Sequence, residues 1–101
     1  MIFVIADITV TEGKRDDFVK LFNELVPSVL AEDGCIEYGP TVDVDTNVGG
    51  DMRPNVVTVV EKWESVEALE AHLIAPHMLA FRETAKDLMQ GVDIKVLEPA
   101  K

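Results

Sequence analysis

The sequence predicts an α+β domain of the ferredoxin-like split βαβ type, a four-stranded antiparallel sheet with helices on one face. Three observations carry that prediction. Segments apolar on alternate or on both parities are interleaved with segments of ~3.6-residue period, in the order strand, helix, strand, strand, broken helix, strand. The 101 residues support one core, because two would each be too small to offset their own ordering entropy, so residues 1–101 read as a single domain. Hydrophobic residues make up 48% but aromatics only 6%, so that core is built from Val, Ile, Leu and Ala.

"MIFVIADITV" (1–10) is β-branched and apolar on both parities, which predicts a strand covered on both faces. Phe18, Leu21, Phe22, Leu25, Val26 and Val29 then recur as one face of a helix, with Asp16 and Asp17 favouring its N-terminal dipole. Pro27 predicts a kink, and "EDG" ends the helix with Gly34 in the left-handed position. Residues 35–44 place Ile36, Tyr38, Val42 and Val44 on one parity of a second strand, with a possible break at Gly39-Pro40. A turn-rich loop (45–55) leads to a third strand (56–63), apolar on both parities until Glu61. Ser65 suits the cap of a helix carrying Val66, Leu69, His72 and Leu73. Pro76 suits the first residue of another, with Ala80, Phe81, Thr84 and Leu88 inward and Gly91 stopping it. "VDIKVLEP" (92–99) closes the sheet. Two helices cover one sheet face only, so the doubly apolar strands predict a homodimer with the two sheets facing each other.

A formal net charge of −10 repels phosphate backbones and anionic lipid, which argues against nucleic-acid and membrane roles. No apolar run approaches the ~20 residues that span a bilayer. The single Cys35 excludes an intrachain disulfide, so a cytoplasmic location is expected.

"VPSVLAEDGCIEYGPTVD" (26–43) followed by "EKWESVEALEAHLIAPHM" (61–78) resembles the antibiotic-biosynthesis monooxygenase family, and within it the small bacterial quinol monooxygenases. The resemblance implies a dimeric α+β barrel with a pocket between sheet and helices. It also implies oxygenation of a quinol or polyphenol by molecular oxygen with no cofactor. Haem-degrading members carry Asn near Asp7, Trp at the place of His72 and a ligating His near Arg82, so haem degradation is disfavoured. Polyketide-anthrone oxygenases share the stretch matched by Trp63, Glu64 and Ser65, but have Asn where this chain has Val59.

Such chemistry needs a base with a pKa near neutrality, an apolar enclosure and donors for a developing oxyanion. His72 and His77 are the candidate catalytic bases, since imidazole titrates near 6.5. A core histidine bonded to a carbonyl is the competing reading of His72, and solvent exposure that of His77. Trp63 is either a pocket wall or a plug at the sheet–helix corner, and Tyr38 is a hydroxyl donor or a packing residue. Phe81 is expected as a wall. Asp7 either lines the pocket or pairs with a cation such as Arg82, which itself either holds an anion or pairs with Glu83 or Asp87. Arg53 is expected in a surface pair, and the 45–55 loop with Met52 could lid the pocket or brace a partner. No metal site is predicted, because His72 and His77 stand five apart across a proline and Cys35 has no second thiol nearby. Two rival functions share this framework: isomerisation of a small sugar-like signal by the same histidines, and a non-catalytic dimeric ligand-binding module. A flat apolar slot favours the quinol, and a floor of several polar groups the sugar.

Overall fold

A computed structural model describes residues 1–101. Seven elements follow in the order β1 (Ile2–Val10), α1 (Arg15–Leu30), β2 (Cys35–Thr41), β3 (Val56–Trp63), α2 (Val66–Leu73), α3 (Pro76–Ala85) and β4 (Met89–Leu97). The four strands pair antiparallel in the order β2-β3-β1-β4, the split βαβ arrangement that the sequence predicts. No helix is long and apolar enough to cross a membrane.

Register decides which side chains share the inner face. Ile2, Val4, Ala6 and Ile8 of β1 stand opposite Trp63, Glu61, Val59 and Val57 of β3, and Tyr38 of β2 stands opposite Glu61. All nine are buried. Phe18, Phe22, Leu25 and Val29 of α1 pack onto this face, and the α1 rings interlock with Tyr38 and Phe81. Fully burying each such apolar side chain contributes about 1.5–3 kcal/mol. The outer face has no cover within this chain: Phe3, Ile5 and Val56 are half-buried and Val60 is exposed.

Several local expectations are corrected. β2 stops at Thr41, leaving Val42 and Val44 exposed in the loop, and it runs through Pro40 without a break. That proline is tolerated because β2 is an edge strand. A register shift between Cys35 and Glu37 turns Ile36 outward. α3 turns Met78, Phe81 and Ala85 inward rather than Ala80 and Thr84, and it ends at Ala85. Gly91 therefore lies inside β4, opposite Thr9. The inner side of β4 is also unlike the rest of the sheet. Val92, Ile94 and Val96 pair with the buried Ile8, Ala6 and Val4, yet each remains about half exposed because no helix reaches over them.

Candidate active site

That gap between β4 and the helices is a cleft of about 300 Å³. Ten of its thirteen lining residues are hydrophobic, among them Ala6, Ile8 and Val59 from the sheet and Leu73, Met78 and Phe81 from the helices. Its other lining residues are His72, Glu61 and Arg82, and Tyr38 brings a hydroxyl.

His72 is on the last turn of α2, where Ser65 caps the helix by accepting from the Ala68 backbone N–H at 3.1 Å. Its ring packs between Trp63 and Tyr38 at centroid distances of 4.7 and 5.3 Å. Nδ1 lies 2.9 Å from Oε2 of Glu32, in the turn between α1 and β2. A carboxylate oxygen accepts, so the neutral ring carries its proton on Nδ1 and its lone pair on Nε2. No protein group bonds Nε2, and every fully buried side-chain polar atom in the molecule is bonded, so Nε2 opens onto the cleft that His72 lines. Burial lowers the His72 pKa below the usual imidazole value, against the opposing pull of Glu32, which favours the neutral base.

Pro76 starts α3 and places His77 in its first turn, with Nε2 2.6 Å from the same Oε2 of Glu32. Two histidines five apart across a proline thus converge on one carboxylate oxygen. His77 does not line the cleft. Its place is behind His72, holding Glu32 from the other side.

Glu61 is buried with an exposure of 7%, its Oε1 accepting from Trp63 Nε1 at 2.9 Å. Burial pushes its pKa up to about 7, with the Trp63 bond opposing and the Glu32 charge adding to the rise. Its second oxygen has no protein partner and by the same reasoning reaches the cleft. Burial and the charges of Glu61 and Glu32 raise the Tyr38 phenol, which stays a hydrogen-bond donor. Glu61 and Glu32 were not singled out by sequence reasoning. Glu61 could have been found from strand parity, which puts it on the face of Val57, Val59 and Trp63; Glu32, inside a turn signal, left no comparable trace.

The remaining candidates separate. Phe81, Tyr38 and Arg82 line the cleft, and Arg82 forms no ion pair, while Glu83 takes Lys86 instead. Trp63 is fully buried and lies behind His72 as the corner plug, outside the lining. Asp7 is on the outer face and pairs with Arg53 rather than Arg82. It accepts from Arg53 Nη1 at 3.2 Å and from Thr58 Oγ1 at 2.5 Å, and Arg53 also grips Asp43. The loop that carries Met52 and Arg53 is tied to that side and does not cover the cleft.

Comparison with known proteins gives this architecture a family. The model of the antibiotic biosynthesis monooxygenase family matches residues 1–84. The chain is 39% identical over 102 aligned positions to the Escherichia coli protein named "Probable quinol monooxygenase YgiN", with 98% of each covered. It is 27% identical to PA3566 from Pseudomonas aeruginosa (TM-score 0.82, covering 99% of this chain and 94% of that one). Rv0793 from Mycobacterium tuberculosis is similar at 26% (TM-score 0.80, 99% and 95%). With its strand order, its cleft and its sequence in agreement, the chain belongs to the antibiotic biosynthesis monooxygenase family.

Proposed function

We propose that this chain oxygenates a hydroquinone or related polyphenol with molecular oxygen, using no metal and no organic cofactor. The observation that carries the reading is His72, whose Nδ1 is committed to Glu32 while Nε2 opens onto a mostly apolar cleft. The name of the Escherichia coli relative supports the substrate class. Triplet oxygen reacts slowly with a closed-shell quinol but readily with its anion, so removing one phenolic proton is the decisive step. His72 Nε2 takes that proton, and Glu32 stabilises the resulting imidazolium. The quinolate passes an electron to oxygen, and the radical pair recombines within the apolar walls. The Tyr38 hydroxyl and the Arg82 guanidinium face the oxyanion that forms. One oxygen atom enters the ring and the other leaves as water with two hydrogens, so a hydroquinone and oxygen yield a hydroxyquinone and water.

The predominance of hydrophobic lining, ten residues of thirteen, favours a planar aromatic ring over the sugar-like signal of the isomerase reading, because a polyol would find partners for only some of its hydroxyls there. The same reading takes the active unit as a homodimer, supported by the uncovered Phe3, Ile5 and Val60 on the outer sheet face. The test is oxygen uptake by metal-stripped protein with menadiol, measured against autoxidation. A catalysed rate that falls about a hundredfold or more in His72→Ala, roughly 2.7 kcal/mol of barrier, is expected. A rate no faster than autoxidation sinks the reading.

A further inference from the structure

In the proton-transfer role the substrate proton arrives at the cleft side of His72. On its other side three ligating atoms from three segments, Glu32 Oε2, His72 Nδ1 and His77 Nε2, lie within 4.8 Å of one another. We propose that Glu32, His72 and His77 form a binding site for a divalent transition cation of the Zn²⁺ class, whose occupancy switches the cleft off. The site itself rests on geometry; the inhibitory consequence rests on the oxygenase reading above.

Two imidazole nitrogens and one carboxylate oxygen are a donor set that Zn²⁺ accepts, with a water in the fourth position. Hard ions such as Mg²⁺ and Ca²⁺ favour all-oxygen shells and are not expected here. Bonds of about 2.0–2.2 Å to a tetrahedral ion would place neighbouring ligand atoms roughly 3.3 Å apart. Oε2 is now 2.9 Å from one nitrogen and 2.6 Å from the other and must withdraw by several tenths of an ångström, while the two nitrogens, within 4.8 Å of each other, must close toward that spacing. Rotation of the Glu32 side chain and of the partly exposed His77 ring would supply those movements. The nitrogens converge because Pro76 restarts the chain as a helix just after α2, turning His77 back toward His72.

An entry route is present. Side-chain exposure rises from 2% at His72 to 13% at Glu32 and 29% at His77, so an ion arriving from solvent meets the most exposed ligand first. The net charge of −10 attracts cations, and Glu32 supplies the local anion; the nearby charge of Arg82, which is felt at His72, opposes them. A metal on Nδ1 replaces the proton there, and a neutral ring must then carry its hydrogen on Nε2. The cleft would face an N–H instead of a lone pair. His72 cannot accept a phenolic proton in that state, so occupancy and turnover exclude each other.

The experiment titrates the metal-stripped full chain with Zn²⁺ by calorimetry and with Co²⁺ by visible absorption, for wild type, Glu32→Gln and His77→Ala. Both substitutions leave the buried His72 in place. One ion per chain, the absorption of four-coordinate Co²⁺, and at least about tenfold weaker binding in each variant are expected, or 1.4 kcal/mol each. No Co²⁺ absorption in the wild type, or equal affinity in all three proteins, overturns the site. In parallel, Zn²⁺ should inhibit menadiol-dependent oxygen uptake by the wild type, reversibly with a chelator, at an ion concentration matching the calorimetric affinity. Tight binding with undiminished uptake overturns the inhibitory consequence alone. Metal binding without any catalysed uptake upholds the site, and the oxygenase reading fails separately.

Discussion

On the outer face of the sheet Asp7 accepts from Thr58 and Arg53, and these bonds hold its carboxyl below the usual carboxylate value. On the inner face, across the same β1–β3 pair, Glu61 has one indole donor and no cation, and burial pushes it up to about 7. Both residues interrupt an apolar strand, and their sequence surroundings look alike. The difference lies in what covers them. A hydroxyl and a guanidinium hold Asp7, so it is a structural anion; aromatic and aliphatic side chains enclose Glu61, so it titrates near neutrality beside a cleft. A charged residue in an apolar strand therefore acquires its role from which face the register assigns it.

The widest contrast between the faces is catalytic. His72→Ala should lower oxygen uptake by about a hundredfold or more, the scale of a lost general base, whereas Asp7→Asn should leave uptake unchanged. Steady-state oxygen-electrode kinetics check both, and a similar loss in the two variants would erase the contrast. The next effect is a pH dependence of stability. Glu61 starts from 4.5 and is raised to about 7 on folding, so the native state binds this proton more tightly than the unfolded chain. Its contribution is fully present below 4.5 and is lost as pH rises through about 7, by as much as about 3 kcal/mol. Glu61→Gln should remove that decline, so urea melts between pH 4.5 and 7.5 should show the variant gaining steadily on the wild type. A constant difference would mean that Glu61 is not enclosed as described. Smaller again, Trp63→Phe should cost about 2 kcal/mol in urea denaturation, because it leaves Glu61 without its donor and opens space in the corner. The least is expected outside. Asp7 contributes above its ordinary 3.8, and that contribution is lost as pH falls through its lowered folded value. With the side chain more than a third exposed, Asp7→Asn should cost under about 1 kcal/mol at neutral pH, measured by the same melts.

Strand parity made the sheet legible, and β3 in particular, whose bounds of 56 and 63 coincide with the observed Val56–Trp63. The end of the chain was harder. Gly91 reads locally as a helix stop, but the chain has already turned after Ala85, and the glycine is accommodated in an exposed strand beside Thr9. The inward face of α3 was misread because a ten-residue helix with small residues on several sides has little amphipathic contrast. In the site, His72, Tyr38, Phe81 and Arg82 could be named from residue type and helix phase. Glu32 could not, since its meeting with both histidines depends on a tertiary contact forty residues away in sequence. Trp63 and Asp7 each had two plausible environments, and only the covering of the two faces chooses between them.

Gly34 has a consequence for how this site moves. Its φ is +82°, and a Cβ there would come within 2.6 Å of the Ala68 Cβ, so the turn bearing Glu32 presses directly on α2. The Gly34 carbonyl also accepts from the Glu64 backbone N–H at 2.8 Å, just before the α2 cap. Backbone contact, not only the side chains, thus sets the span between Glu32 and His72. Any fluctuation that lifts α2 must separate the carboxylate from the imidazole in the same event. Hydrogen exchange at the Glu64 amide would therefore count the events that part Glu32 from His72.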